Sequence, residues 1–125
     1  MSGILLALSG VTLTQPVTVN ANWGSYGGDP AADSDTAART LTVPAGNPGS
    51  LNFAMTKDIF VSTPQYQKNG GAFTNITDGL DVTFANGDTL KFRVPAGGGD
   101  GVAIITVTDN LRGDAVGDAT ATLAA

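Results

Sequence analysis

The chain has 125 residues and a mass of 12.5 kDa, the length of a single domain that can bury a sizeable core without covalent staples. It contains no Cys and no His, and all eleven of its acidic residues are Asp. These absences exclude disulfides, thiolate or imidazole metal sites, Cys nucleophiles and Ser-His-Asp triads. The missing Glu, together with 16 Thr and 17 Gly, argues against helices and favours an all-β domain.

The charge balance argues against a polyanionic partner. The formal net charge is -5, and the six basic residues are scattered singly along the sequence. A groove for nucleic acid needs clustered Lys and Arg, so we expect no nucleic-acid binding. Charged residues make up only 14% of the chain, which fits either a domain packed against neighbouring subunits or an extracellular type of β-domain.

Residues 1–10 are predicted to form an apolar N-terminal strand or arm. Residues 4–8 are apolar without interruption, which is too short for a membrane-spanning helix. A signal peptide requires basic residues before its apolar stretch, and none precedes residues 4–8. We therefore expect neither a signal peptide nor a membrane partner. Such a segment is buried either within the domain or by another subunit. The second interpretation gives four candidate assembly contacts, which are Ile4, Leu5, Leu6 and Leu8.

Further along the chain, apolar and polar residues alternate with period two, and no segment has a sustained helical period. The alternating segments are residues 17–23, 40–43, 51–56, 80–84, 89–94, 103–108 and 119–123. Short strands at this density predict an all-β, immunoglobulin-like sandwich of about seven to nine antiparallel strands. We expect one domain over residues 1–125, with residues 24–36 as a loop.

A first hairpin is predicted around Asn69 and Gly70, because this residue pair suits a two-residue type I′ turn. With that turn, Tyr66 lies directly opposite Phe73. The two residues would then form an aromatic cross-strand pair.

A second hairpin is predicted over residues 80–94. A two-residue loop would put apolar residues opposite polar ones, whereas a loop of residues 85–87 puts Val82 opposite Leu90. We therefore expect the longer loop, with Gly87 in the left-handed conformation of a bulge.

No constellation of residues indicates catalysis, a metal or a cofactor. Asp29, Asp33 and Asp35 could supply oxygen ligands, but their spacing is not that of an EF-hand and no Glu closes the set. We expect these three residues to form a solvated acidic loop. Nothing in the pattern places two Asp residues in one cleft, as a glycosidase would require. The glycines within residues 95–101 lack the Lys of a phosphate loop and are predicted to form a flexible connection.

Three aromatic residues could form a platform for a sugar ring. Trp23 belongs to the apolar set of residues 17–23, which alternates with polar residues, so we expect it in the core. Tyr26 and Tyr66 are the candidate glycan contacts, and the alternative for Tyr66 is hairpin packing.

Two stretches resemble a known module. Residues 66–73, with the sequence YQKNGGAF, are similar to the Y-x-x-N-G-G-x-[FW] hairpin of bacterial and phage immunoglobulin-like modules. Residues 86–94, NGDTLKFRV, and residues 102–109, VAIITVTD, resemble the ending of the same modules, which occur on small virion proteins of tailed bacteriophages. The resemblance covers roughly residues 65–109 and implies an immunoglobulin-like fold. Modules of this kind have no catalytic residues to carry over.

These observations lead us to expect a non-enzymatic structural protein of a bacteriophage particle. It would be a homo-oligomeric capsid decoration, cement or head-fibre subunit on the virion surface, made in the host cytoplasm. Its partner would be the major capsid protein or another virion protein, and exposed loops could touch host surface glycans. A phage tail component is one alternative, and a carbohydrate-binding or adhesin domain is another.

Overall fold

A computed structural model describes residues 14–125 of the chain. The four candidate assembly contacts of the N-terminal arm, Ile4, Leu5, Leu6 and Leu8, lie outside the described residues.

The described residues form eleven strands and no helix. In chain order these are β1 (Thr18–Val19), β2 (Gly24–Gly28), β3 (Ser34–Asp35), β4 (Arg39–Thr42), β5 (Ser50–Lys57), β6 (Gln65–Lys68), β7 (Phe73–Asn75), β8 (Leu80–Thr83), β9 (Thr89–Val94), β10 (Gly101–Asp109) and β11 (Ala115–Leu123).

The strands form two sheets, so the predicted all-β sandwich is confirmed. The first sheet has the order β1-β4-β9-β6-β7, with β3 paired to β9, and the second has the order β2-β11-β10-β5-β8. In the first sheet β1-β4-β9-β6 corresponds to the A-B-E-D order of an immunoglobulin domain, and in the second β11-β10-β5 corresponds to G-F-C. The strand number exceeds the expected seven to nine, and β2 pairs with β11 in parallel.

The core is built around aromatic contacts that join the two sheets. Phe53 on β5 lies with its ring centroid 5.4 Å from that of Phe92 on β9, edge to face, and 5.4 Å from that of Tyr66 on β6. Trp23 is buried, its ring meets Phe92 at 5.1 Å, and its Nε1–H donates to the Leu90 carbonyl at 2.8 Å. The prediction that Trp23 belongs to the core is confirmed.

The predicted hairpin over residues 80–94 is wrong. β8 pairs with β5 in the second sheet, whereas β9 pairs with β4 and β6 in the first. The intervening loop crosses between the sheets and is bonded to β4, where Gly87 N–H donates to the Leu41 carbonyl. Gly87 does have the expected positive φ, 88°. Alternation of apolar and polar residues shows which face of a strand is buried. It does not show pairing, because two strands paired in one sheet and two strands facing each other across the core have the same alternation.

The hairpin of β6 and β7 forms, but its predicted register is wrong. Asn69 and Gly70 both have positive φ, as a type I′ turn requires. The strands then pair with Gln67 opposite Phe73, so Tyr66 lies opposite Thr74. The slip places Phe73 on the outer side of the sheet, while Tyr66 packs inward. There the centroid of the Phe73 ring lies 3.7 Å from the Arg93 guanidinium carbon, and this cation–π contact stabilises the outward position of Phe73.

Residues 24–36 are not a single loop, because they contain β2 and β3. β2 has the sequence GSYGG, and its glycines disfavour the strand assignment on propensity alone. The glycines have a steric role, since a Cβ on Gly28 would collide with the side chain of Ser34. Conversely, only Thr18–Val19 of the alternating residues 17–23 is a strand.

A buried carboxylate fastens one end of the sandwich. Asp109, at the end of β10, is fully buried, and its Oδ2 accepts hydrogen bonds from Val17 N–H and Asn47 Nδ2, both at 2.8 Å. Its Oδ1 accepts from Leu111 N–H at 2.9 Å. Burial alone would raise the pKa of Asp109, but these hydrogen bonds outweigh it and hold the pKa below its ordinary value.

We predict that Asp109→Ala lowers the free energy of unfolding by about 2–3 kcal/mol, because it removes the acceptor of three hydrogen bonds, two of which come from buried donors. Urea denaturation at pH 7 measures the change. Asp114→Ala is the matched control, since Asp114 lies on the next turn in a solvent-exposed pair with Arg112 and should change stability by less than about 0.5 kcal/mol.

Removal of the Asp109 charge has a predicted pH signature, which a second variant, Asp109→Asn, reports. The folded pKa of Asp109 lies below its unfolded value, so its stabilisation is complete at neutral pH and is lost as pH falls below about 4 toward the folded pKa. The difference in stability between wild type and Asp109→Asn should therefore shrink between pH 5 and pH 2, by order-of-magnitude reasoning from the unperturbed Asp pKa of about 3.9. A difference that stays constant over that range would contradict this role.

Candidate functional site

Two large apolar side chains protrude together from one end of the sandwich. Ile59 is 82% exposed and Phe60 is 73% exposed, and we call this pair the apolar tip. Within residues 14–125 the other exposed large apolar residues are Ile104, at 39%, and Leu111, at 43%. Adjacent exposed apolar side chains of this size are typical of contact surfaces rather than of a solvated loop.

The apolar tip occupies the corner of a tight turn. Val61 N–H donates to the Asp58 carbonyl at 3.1 Å, which makes Ile59 and Phe60 the two central residues. Asp suits the first position of such a turn, but Gly, Pro, Asn and Asp normally supply the corner. Turn chemistry therefore does not explain why Ile and Phe stand there.

Hydrogen bonds and burial hold the turn on both sides. Asp58 N–H donates to the Val102 carbonyl at 2.9 Å, and Asp58 Oδ2 accepts from Val102 N–H at 2.8 Å. On the other side Val61 is only 2% exposed and belongs to the smaller core cluster, and Pro64 is also buried. The apolar tip is thus presented on a well-anchored loop.

Glycines of the connection between β9 and β10 pack directly beneath this loop. Gly99 N–H donates to the Phe60 carbonyl. A Cβ on Gly98 would lie 2.5 Å from Ser62 N and 2.7 Å from Phe60 O, which leaves no room for a side chain. Residues 95–101, expected from sequence to be a flexible connection, therefore have a packing role in supporting the apolar tip.

The outer face of the second sheet is almost uncharged. Strand register places Thr56, Ile104 and Thr120 side by side across β5, β10 and β11, and Ser25 on β2 continues the row. The acidic residues of this face, Asp81 and Asp118, belong to rows farther from the apolar tip. This face is suited to packing against another protein surface, because little charge has to be desolvated.

The outer face of the first sheet carries an ion cluster instead. Arg93 binds Asp35 through two hydrogen bonds of 2.7 and 3.0 Å, and Lys91 Nζ lies 2.9 Å from the same carboxylate. The Arg93 hydrogen bonds, with Lys91 adding to them, lower the pKa of Asp35. Two basic residues are therefore neighbours here. Asp35 pairs with both, and Asp33 Oδ2, 3.4 Å from an Arg93 nitrogen, supplies the second negative charge.

The acidic residues expected in a solvated loop bind partners instead, and Asp33 and Asp35 share Arg93 as an ion-pair partner. Asp29 Oδ1 caps Ala31 N–H, Asp33 accepts from Ala96 N–H, and Asp35 is ion-paired. Among residues 14–125 no group of three or more acidic side chains is arranged to hold a metal ion.

The structure does not bring the three aromatic candidates together. Trp23 is in the core, and half-buried Tyr66 packs on Phe53. Tyr26 packs on the smaller core cluster and its hydroxyl donates to the Ser34 carbonyl at 3.3 Å. Burial, with a contribution from Asp35, raises the pKa of Tyr26 to about 12. Glycan contact by Tyr26 and Tyr66 stays a prediction, and neither ring is fully exposed.

Sequence reasoning missed the apolar tip. Ile59 and Phe60 follow the alternating β5 segment and look like a continuation of it. The usable signal was a break in period: residues 59–61 are three consecutive apolar residues between Asp58 and a polar segment that ends at Pro64.

No protein-family model matches the chain, and the search of curated proteins found no significant relative. No helix in the described part of the chain could cross a bilayer.

We predict that Gly98→Ala lowers the free energy of unfolding by about 1–3 kcal/mol, because the added methyl group forces the backbone of residues 60–62 away from the connection. Urea denaturation measures the loss. Gly27→Ala is the control, since its Cβ would meet only the Thr122 carbonyl oxygen at 3.7 Å, and its effect should be within about 0.5 kcal/mol. Equal stabilities of the two variants would show that the close approach is not required.

Proposed function

We propose that this protein is a non-enzymatic structural subunit of a bacteriophage particle, which functions by protein–protein contact on the head as a decoration, cement or head-fibre subunit. The observation that carries the contact role is the apolar tip, where Ile59 and Phe60 are largely exposed on an anchored turn. The partner is a second copy of the chain, the major capsid protein or another virion protein.

Burial of apolar area favours docking at the apolar tip, and the order already present in its loop lowers the cost of binding. Burying one large apolar side chain contributes about 1.5–3 kcal/mol. Binding loses part of this gain when flexible loops must be ordered, at about 0.5–1.5 kcal/mol for each immobilised side chain. The loop of the apolar tip is already held by Asp58, Val61 and the glycines beneath it, so this cost is small for its backbone.

The low charge of the second sheet's outer face supports the same role. A row containing Thr56, Ile104 and Thr120 can approach a neighbouring subunit without desolvating ions. The assignment to a phage particle rests on the resemblance over residues 65–109. That resemblance also fits a tail component, which would use the same contacts at another place on the particle.

We predict that the wild-type protein is a homo-oligomer and that the double variant Ile59→Ser/Phe60→Ser is a monomer. Both side chains are solvent-exposed in the single chain, so the variant should keep its fold and lose only the contact. Size-exclusion chromatography with light scattering gives the mass, and circular dichroism with a thermal melt checks the fold.

Leu111→Ser is the matched control, because Leu111 is an exposed apolar residue on the turn between β10 and β11, at the opposite end of the sheet. Its mass should equal that of wild type. A monomeric wild type, or an oligomer unchanged in the double variant, would overturn the proposed role of the apolar tip in self-association.

The place on the particle is a separate prediction. Antibodies raised against the chain should label intact particles of the phage that encodes it, with label on the head. Label confined to tails would favour the tail component, and binding of the monomer to a glycan array with no label on particles would favour a carbohydrate-binding domain.

A further inference from the structure

The apolar tip and the start of the described chain, at Thr14, lie at opposite ends of the sandwich. The first described residue, Thr14, accepts a hydrogen bond at its carbonyl from Arg112 on the turn between β10 and β11. Asn47 Nδ2 donates to the Gln15 carbonyl at 3.0 Å, and Val17 N–H donates to Asp109. The chain therefore enters the fold at the Asp109 end of β10, whereas Asp58 and the apolar tip are bonded to its Val102 end.

These positions set a minimum distance between the two features. From Val102 to Asp109, β10 advances seven residues, which is roughly 24 Å at the rise of an antiparallel strand. Thr14 lies beyond one end of this span and the apolar tip lies beyond the other. The arm must therefore cover more than about 24 Å to reach the apolar tip of its own chain.

The C-terminal part of the apolar segment is too close to Thr14 to do so. Leu8 precedes Thr14 by six residues, which span at most about 20–22 Å when fully extended. Leu6 reaches about 26–29 Å only in a straight, taut chain that follows no surface. Ile4 and Leu5 could reach that far, at about 30–36 Å when extended, but Leu8 could not. Contact between the whole of residues 4–8 and one apolar tip therefore requires a second copy of the chain.

The two features match in chemistry. Residues 1–17 contain no charged side chain, and the first charged residue of the chain is Asp29. Residues 4–8 offer only apolar side chains, and the apolar tip offers Ile59 and Phe60. An uncharged apolar segment brings no ion of its own to the apolar tip. The net charge of each copy, -5, comes from residues outside the arm.

We propose that residues 4–8 of one copy of the chain dock on the apolar tip of the next copy. This inference rests on the proposed assembly function and names its donor and its receiver. Because the donor segment and the receiver differ, and the described chain begins at the end of the sandwich opposite the apolar tip, the contact is head-to-tail. Such heterologous contacts form a closed ring when the rotation between copies closes and a filament when it does not.

The absence of Cys from the chain permits a direct test by disulfide trapping. Ala7→Cys and Ile59→Cys are made in the 125-residue chain as separate variants, mixed and oxidised, and resolved on a non-reducing gel. We expect a covalent dimer of the two variants. The control mixture pairs Ala7→Cys with Leu111→Cys, and it should give at least ten-fold less of this dimer.

The double variant Ala7→Cys/Ile59→Cys separates contacts between copies from contacts within one. A head-to-tail arrangement predicts a ladder of covalent multimers. An oxidised monomer with an internal disulfide would overturn the inference, and so would preferential trapping of Ala7→Cys to itself or to Leu111→Cys.

Light scattering on the same samples before oxidation distinguishes failure of this inference from failure of the proposed function. An oligomer that gives no disulfide between residues 7 and 59 would overturn head-to-tail docking and leave self-association intact. A wild-type chain that is monomeric at every concentration tested would overturn both.

Discussion

The sandwich depends on the packing of Phe53 against the opposite sheet. Its ring meets Phe92 and Tyr66 edge to face, and Phe84 closes the cluster at 6.3 Å. Edge-to-face aromatic pairs add about 0.5–1.5 kcal/mol to the burial of their area, so this cluster both attracts the sheets and selects how they face each other. Each strand that contributes a residue to this cluster directs its alternate side chains to solvent. The residues that pack in the core therefore determine which residues form the two outer faces.

The ends of the sandwich are held by different chemistry. At one end the Asp109 carboxylate gathers backbone and side-chain donors from three separate segments. At the other end, glycines of the connection between β9 and β10 approach the loop after β5 closely enough for a backbone hydrogen bond. That loop contains the apolar tip. The Asp109 hydrogen bonds close the end at which the described chain begins, and the apolar tip is exposed at the other end. This difference between the two ends is the basis of the proposed head-to-tail contact.

Local patterns succeeded where a property depends on neighbours in sequence. The positive φ of Gly87 and of Asn69 followed from turn chemistry, and the inward position of Trp23 followed from alternation. The same patterns failed for pairing partners: residues 80–94 alternate as a hairpin would, yet their two strands belong to different sheets. The apolar tip escaped notice for a related reason, since an apolar run after a strand looks like more strand until the turn that ends the strand is known.

The sequence alone determined the class of the fold and the kinds of chemistry open to it. Period-two alternation, the lack of Glu, His and Cys, and the turn residues are local or compositional properties, and they act before any long-range contact forms. Only the tertiary structure decided which strands pair, that Phe73 turns outward beneath Arg93, and that Ile59 and Phe60 stay in solvent. These outcomes depend on contacts between residues far apart in the chain, where a cation–π contact or a close glycine approach outweighs local preference.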